Sequence, residues 1–199
     1  MIIIINNSGP LKKAYSTPQI IDFFKKRNYP YKVVSDRRIL NTYLITNLKE
    51  IKGVILSGSD LKYTEKICTC QINMNLICLL EFNIPILGIC FGYQTIAISF
   101  GGRIKSLPKL RKKKEEVILL EHPLFKNIPN NSKFQQYNHD YVSEIPISFR
   151  PIAYSNSNIL EGIAHYKKPI YGIQFHPELS GKYGQYLLNN FIEICENYK

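Results

Sequence analysis

The sequence predicts an α/β fold, a doubly wound and mostly parallel sheet with helices on both faces and a small antiparallel extension. Up to Gly102, short apolar runs of strand length alternate with segments of helical periodicity, the pattern of a parallel sheet. Beyond Gly102, short strand candidates follow one another with few helical segments, which indicates antiparallel pairing.

The first elements are predicted as a strand, a helix and a second strand. Ile2–Ile5 is an apolar run of strand length. Ser16, two residues before Pro18, is an N-cap signal, because proline lacks an N–H that the first helical turn leaves unpaired. The helix that begins there is expected to end near Arg27, and Tyr31–Val34 predicts the next strand.

A third strand and a fourth are predicted before the middle of the chain. Thr46–Glu50 is expected to be a short helix, and Gly53–Leu56 is a strand that runs into the loop Ser57–Asp60. A longer helix is predicted over Thr64–Phe82, ahead of the apolar strand Ile84–Ile89.

The rest of the chain predicts short strands and a closing helix. Lys105–Glu116 is strongly charged and is expected to form a surface turn. The later candidates are Val117–Glu121, Lys133–Tyr137, Pro151–Ser155, Ile159–His165 and Ile170–Phe175 as strands and Tyr183–Tyr198 as a helix. Since no linker, repeat or low-complexity segment interrupts it, the sequence predicts a single domain over residues 1–199.

Composition argues against several classes of protein. No apolar run reaches the length of a membrane span or of a signal peptide, so no membrane association is expected. The five cysteines are odd in number, and three of them, Cys68, Cys70 and Cys78, lie in one predicted helix. They do not form a disulfide framework or a metal-ligand spacing, and they are interpreted as helix packing in a reducing cytoplasm.

The net charge of +11 comes mainly from short clusters of lysine and arginine. These clusters are scattered and are not interleaved with aromatic residues, so nucleic-acid binding is not favoured. Two interpretations remain, namely solvated faces or the docking of an acidic partner protein.

The segment around Cys90 predicts a nucleophile. The apolar strand ends in Gly88-Ile-Cys90-Phe-Gly92, and a helical pattern follows until Gly101. Strand, Gly-x-nucleophile-x-Gly and helix form a nucleophile elbow, whose glycines allow strand and helix to cross closely. Such a turn places the sulfur beside the first free N–H groups of the helix, which stabilise an anion.

A general base is predicted at the end of a later strand. His176 follows the run Ile170–Phe175, and the carboxyl end of a parallel strand is where α/β sheets place reactive groups. Glu178 is two residues further on and could bond the imidazole, while Pro177 limits the backbone between them. Cys90, His176 and Glu178 thus fit the nucleophile, base and orienting residue of a triad.

Two motifs carry a family resemblance over nearly the whole chain. Gly88-Ile-Cys90-Phe-Gly92-Tyr-Gln94 and Gly172-Ile-Gln-Phe-His176-Pro-Glu178 resemble the class I (triad) glutamine amidotransferases. Asn138-His139-Asp140-Tyr141-Val142 resembles the corresponding segment of the GMP synthetase branch, which has a stand-alone amidotransferase subunit. The resemblance implies the flavodoxin-like fold of that family.

The resemblance also implies the chemistry. Glutamine would be the substrate, and its side-chain amide would be attacked by Cys90 with His176 and Glu178 as the rest of the triad. The backbone N–H groups of Ser59 and Phe91 would form the oxyanion hole. The ammonia would pass to a synthetase subunit of the ATP-pyrophosphatase type, and neither a cofactor nor a metal is implied.

Substrate-binding residues are implied at four positions, namely Gly58, Gln94, His139 and Asp140. The sequence alone leaves other interpretations open. Gln94 could simply cap or pack the helix, and the pair His139 and Asp140 could be a turn with an Asx hydrogen bond. Cys90 could be a buried core cysteine.

The loop at Ser59 departs from the family, which usually has two glycines and a proline after the serine of this loop. Because a serine resists a positive φ that glycine accepts, the hypothesis is a glutaminase that is weak alone and activated by a partner. Two alternatives remain at the level of function. One is a γ-glutamyl hydrolase without a synthetase partner, and the other is a non-catalytic binding or regulatory module.

Overall fold

The computed structural model describes residues 1–8, 16–35, 48–64 and 83–198. In these ranges the strands and helices, in chain order, are β1 Ile2–Ile5, α1 Thr17–Lys26, β2 Tyr31–Val34, β3 Gly53–Leu56, β4 Ile86–Ile89, α2 Phe91–Ser99, β5 Arg103–Leu119, β6 Ser132–Glu144, β7 Phe149–Ser155, β8 Leu160–His165, β9 Ile170–Ile173 and α3 Gly181–Asn197. Single 3₁₀ turns lie at Leu48–Glu50, Pro123–Phe125 and Pro177–Leu179.

The strands of the described ranges form one sheet with the order β2-β1-β3-β4-β9-β8-β7-β5-β6. The first five strands in this order pair in parallel, and the last four are joined by antiparallel pairing. The predicted α/β class is confirmed. The antiparallel part is larger than expected, because β5 and β6 span 17 and 13 residues.

Helices cover both faces of the parallel half. Along β1, Ile2 and Ile4 pack into the core beneath α1 and α3, whereas Ile3 and Ile5 pack beneath α2. Successive strand residues point to opposite faces, so a strand with a core on each side must be apolar throughout. The continuous run of isoleucines in β1 therefore follows from its position between two layers of helix.

The turn predicted over Lys105–Glu116 is wrong, because these residues lie inside the long strand β5. Although these residues are mostly charged, they form a strand. Its inward side chains include Arg111, which is buried and paired with Glu161 and Glu115. A buried charge needs partners of opposite charge. Glu161 lies too far along the chain from Arg111 for the sequence to indicate this pairing. The surface turn is thus replaced by a hairpin of β5 and β6.

The β5–β6 hairpin has a bulge beside the site described below. Ser106 pairs with Asp140 and Arg111 pairs with Asn138, so four residues of β5 face one residue of β6. The last of the four, Leu110, remains half exposed at the rim of a cleft. Bulges re-aim side chains near functional sites, and this bulge places Leu110 opposite His139.

Two predictions fall largely outside the described residues. The helix predicted over Thr64–Phe82, with Cys68, Cys70 and Cys78, lies there except for Thr64. The short helix predicted over Thr46–Glu50 is described only from Leu48, where the chain forms a 3₁₀ turn. Among the helices of the described ranges, none combines the length and the apolar character that a membrane crossing requires.

Candidate active site

Cys90 occupies a strained turn between β4 and α2. Its φ of 51° and ψ of −103° are unusual for a residue other than glycine. The flanking glycines are required by close packing, since a Cβ at Gly88 would lie 2.6 Å from the carbonyl carbon of Gly92, and one at Gly92 would lie 2.2 Å from the carbonyl oxygen of Leu56. Cys90 is 4% exposed and immediately precedes Phe91, the first residue of α2.

His176 and Glu178 lie in hydrogen-bond contact after β9. The Nδ1 atom of His176 is 2.7 Å from Oε1 of Glu178, and both side chains are almost completely buried. Because a carboxylate can only accept, the contact assigns a proton to Nδ1. The backbone N–H of His176 also donates to the carbonyl of Gln135 in β6, and the hydroxyl of Ser180 donates to the carbonyl of His176.

The buried environment of His176 favours its charged form. Burial by itself lowers the pKa of the imidazole, but the hydrogen-bonded carboxylate of Glu178 and the nearby sulfur of Cys90 hold this pKa well above its usual value. The far ring nitrogen, Nε2, is buried and has no aligned hydrogen bond to any described residue. Since Nδ1 is engaged by Glu178, Nε2 is the ring atom that can exchange a proton with the Cys90 sulfur.

Among the described residues, two further groups contact the sulfur of Cys90. The side-chain Nε2 of Gln174 lies 3.5 Å from Sγ, and the carbonyl oxygen of Tyr137 lies 3.7 Å from it. Gln174 is fully buried, and its Oε1 accepts a hydrogen bond of 3.1 Å from Gln94. Gln94 also donates to the carbonyl of Asp140 at 2.8 Å.

A cleft of about 250 Å³ opens above Cys90. Its walls come from the loop after β3, from the turn at Cys90 with α2, from the β5 bulge and from β6. The lining residues are Ser59, Asp60, Leu61, Lys62, Cys90, Gln94, Leu110, Tyr137, Asn138, His139 and Asp140. The cleft has room for a small polar substrate such as an amino acid, with the thiol at its base.

The Asp140 carboxylate is held in its charged form within this wall. Burial raises its pKa, but the backbone N–H and hydroxyl of Thr64, the hydroxyl of Ser106 and the ring of His139 together lower it below the usual value. The Thr64 hydroxyl is 2.8 Å and the Ser106 hydroxyl 2.9 Å from Oδ1. Asp140 therefore ties together the loop after β3, the strand β5 and the strand β6.

The loop after β3 is held by hydrogen bonds from Ser59. The Ser59 hydroxyl donates to the carbonyl of Asn7 and accepts from the backbone N–H of Leu61. Ser59 is not one of the described non-glycine residues with a positive φ. The loop thus shows no backbone strain at Ser59, and its hydroxyl fixes the conformation instead.

Most of the residues expected at the site lie around this cleft. Cys90, Gln94, His139, Asp140 and Ser59 line it. The remaining predicted residues lie behind the lining: Gly58 against the His176 ring, Glu178 behind that ring, and Phe91 at the start of α2.

The structure adds Tyr137, Asn138, Thr64, Ser106 and Gln174, to which the sequence assigned no part. Two of them carried a signal in the sequence, since Gln174 lies inside the motif that ends in Glu178 and Asn138 begins the motif that contains His139 and Asp140.

The comparisons with known proteins identify a family. The model of the class-I glutamine amidotransferase family matches residues 13–195. The glutamine-hydrolysing GMP synthase subunit from Methanococcus aeolicus is 36% identical over 197 residues, covering 98% of this chain and 97% of that protein. The subunit of the same name from Pyrococcus abyssi is 35% identical and covers 98% of each chain.

Solved structures share the fold. A crystal structure from Thermoplasma acidophilum, of a protein assigned as one subunit of GMP synthase, has a TM-score of 0.84 at 26% identity. It covers 99% of this chain and 94% of that one. A glutamine amidotransferase from Thermotoga maritima has a TM-score of 0.71 at 18% identity over 98% of this chain and 83% of that one, which supports the fold alone.

Proposed function

Because the chain belongs to the class-I glutamine amidotransferase family, we propose that it releases ammonia from the side-chain amide of glutamine with the thiol of Cys90. The observation that carries this proposal is the buried cluster of Cys90, His176 and Glu178 at the base of the cleft. The three residues would act as nucleophile, general base and orienting carboxylate.

The first half of the reaction would form a thioester. His176 takes the thiol proton on Nε2, and the Cys90 sulfur attacks the amide carbon of glutamine. The backbone N–H groups of Phe91 and Ser59 are assigned to the resulting oxyanion. Phe91 begins α2, where the first N–H groups have no intrahelical acceptor, and Ser59 lies in the wall of the cleft. His176 then returns the proton to the amide nitrogen, and the carbon–nitrogen bond breaks with release of ammonia.

The second half would hydrolyse the γ-glutamyl thioester. His176 accepts a proton from water as the water attacks the thioester carbon. The carbon–sulfur bond breaks, glutamate leaves, and the proton on His176 returns to the Cys90 sulfur. Glu178 stays ionised throughout and keeps Nε2 of the imidazole directed at the reacting atoms.

We propose that the ammonia passes to a synthetase subunit of the ATP-pyrophosphatase type. This follows from the relatives, which are named as the glutamine-hydrolysing subunit of GMP synthase and match this chain along almost its full length. Gln94, His139, Asp140 and Gly58 are the residues that we assign to the bound glutamine and its surroundings. A cytoplasmic location fits the unmodified thiol that this chemistry needs.

The test is ammonia release from glutamine, measured with the chain alone and with the synthetase subunit of a GMP synthase. We expect release that rises when the synthetase subunit is present and that is abolished by Cys90→Ala. The buried Cys195, which is remote from the cleft lining, provides the matched control Cys195→Ala, and this variant should retain the activity. Release of glutamate from γ-glutamyl conjugates without release from glutamine would contradict the proposal.

A further inference from the structure

The side-chain amide of Gln174 lies between the Cys90 sulfur and the side chain of Gln94 in α2. The residue follows β9, two positions before His176, and its side chain is fully buried. Its Nε2 lies 3.5 Å from the Cys90 sulfur, and its Oε1 lies 3.1 Å from Nε2 of Gln94.

The neighbouring contacts fix the orientation of this amide. The carbonyl oxygen of Asp140, 2.8 Å from Gln94, can only accept a hydrogen bond, so the Gln94 atom facing it is the NH₂ group. The Gln174 atom that faces the same NH₂ group must then be the oxygen. It follows that Gln174 presents its own NH₂ group to the sulfur.

We propose that Gln174 is a further catalytic residue whose side-chain N–H donates to the Cys90 thiolate and holds it in the reactive form. This proposal rests on the proposed function of Cys90. The carbonyl oxygen of Tyr137 also contacts the sulfur. Because a carbonyl oxygen only accepts hydrogen bonds, it can pair with the protonated thiol but not with the thiolate. Gln174 therefore opposes Tyr137 in the balance between thiol and thiolate.

The donor would act at two points of the reaction. Before attack, its N–H stabilises the negative sulfur after the proton has moved to His176. In the thioester the sulfur has lost this charge, and the hydrogen bond weakens. When water attacks and the carbon–sulfur bond breaks, the electron pair returns to sulfur and the same N–H stabilises the departing thiolate.

The experiment measures alkylation of Cys90 by iodoacetamide as a function of pH, with the modified peptide quantified by mass spectrometry. The variants are Gln174→Leu, which removes the donor, and Gln174→Glu, which replaces it by a carboxylate of similar shape. The matched control is Asn190→Leu. Asn190 is also a buried amide, and it donates to the carbonyls of Leu124 and Lys126, away from the cleft.

We expect the pH at which Cys90 is half reactive to rise by roughly one unit in Gln174→Leu and by more in Gln174→Glu. Asn190→Leu should lower thermal stability without shifting the pH dependence of Cys90 alkylation. This control separates the effect of losing the hydrogen-bond donor from the effect of disturbing the packing of a buried amide. An unshifted profile in both folded Gln174 variants overturns the proposal.

A second measurement separates this proposal from the proposed function. The parent chain is treated with 6-diazo-5-oxo-norleucine, a glutamine-like electrophile. Labelling of Cys90 with no shift of the alkylation profile in the variants overturns only the part assigned to Gln174. Absence of labelling in the parent chain overturns both.

Discussion

Gly58 lies against the imidazole of His176, and a Cβ at position 58 would lie 2.9 Å from the ring carbon Cε1. The ring cannot easily move away, since Glu178 holds Nδ1, the atom next to Cε1 in the ring. The loop after β3 therefore restricts the ring of His176 as well as contributing Ser59 to the wall of the cleft. The glycine at this position is explained by the space that the ring requires.

Gly58→Ala should displace the His176 ring. We expect ammonia release to fall by about tenfold or more, because misplacing a catalytic group by a fraction of an ångström weakens proton transfer. The measurement is ammonia release in the presence of the synthetase subunit. Gly101→Asn is the control, since within the described part of the chain nothing except its own chain neighbours lies within 4 Å of a Cβ there, and asparagine tolerates the positive φ of 89°. Equal activity of Gly58→Ala and the parent chain would contradict this account of the ring.

Glu178→Gln should change how stability depends on pH. Although burial opposes it, Glu178 and Cys90 raise the pKa of His176, so the imidazolium stabilises the folded chain fully below the pKa of a free histidine, about 6.5. This stabilisation is lost as the pH rises through the higher pKa of the folded chain. The variant lacks much of it, so its deficit in unfolding free energy should be larger at about pH 5.5 than at about pH 8.5.

Urea unfolding at the two pH values measures this difference. Glu193→Gln is the control, because Glu193 is exposed and pairs with the exposed Lys126, so its effect should stay below about 1 kcal/mol at both pH values. The same variant Glu178→Gln should reduce ammonia release by about a hundredfold or more, since the imidazole loses its orienting acceptor. A deficit independent of pH would count against the coupling of Glu178 to His176.

Ser59→Gly tests whether the loop after β3 limits the free-standing enzyme. The substitution removes the hydrogen bonds to Asn7 and Leu61 and allows a positive φ at this position. We expect a gain in ammonia release by the chain alone and little change with the synthetase subunit. Ser59→Ala removes the same hydrogen bonds but does not make a positive φ easier to adopt. A gain in ammonia release in both variants would therefore show that the Ser59 hydroxyl limits the activity of the chain alone. Unchanged free-standing activity in both would reject the idea.

Arg111→Met tests the buried ion pair of the β5–β6 hairpin. Arg111 is 8% exposed, and its guanidinium contacts Glu161, which is fully buried and also accepts from Gln136. Removing one partner leaves an uncompensated buried charge, which costs about 3–5 kcal/mol. Thermal and urea unfolding measure the loss, and Arg103→Met is the control, because Arg103 forms an exposed pair with Glu144. Equal losses in the two variants would contradict the assignment.

Local patterns in the sequence were sufficient for much of the fold. The isoleucines of β1, the glycines around Cys90 and the proline after Thr17 act through their immediate neighbours, and each predicts its element correctly. Short motifs around Cys90 and His176 were likewise enough for the family resemblance, which the family model matching residues 13–195 confirms.

Contacts between distant segments could not be predicted in the same way. Nothing near Arg111 in the sequence indicates that Glu161 neutralises its charge. The charged segment of β5 around Arg111 therefore predicts a surface turn, although it forms a strand. The contact of Gln174 with the Cys90 sulfur depends on the pairing of β4 with β9, which periodicity alone does not specify. The hydrogen bond from the Ser59 hydroxyl likewise could not be predicted, because its acceptor is the carbonyl of Asn7, which lies in a different loop.

During the reaction, the sulfur of Cys90 is expected to form a covalent bond to the side-chain amide carbon of glutamine. The most direct measurement is to mix the chain and a synthetase subunit with glutamine, quench in acid and analyse the Cys90 peptide by mass spectrometry. We expect a γ-glutamyl adduct on Cys90 of the parent chain that is strongly reduced in His176→Asn, where the thiol and the leaving ammonia lose their proton carrier, and that is missing in Cys90→Ala. Ammonia release that persists in Cys90→Ala, with no adduct on the parent chain, would contradict the account.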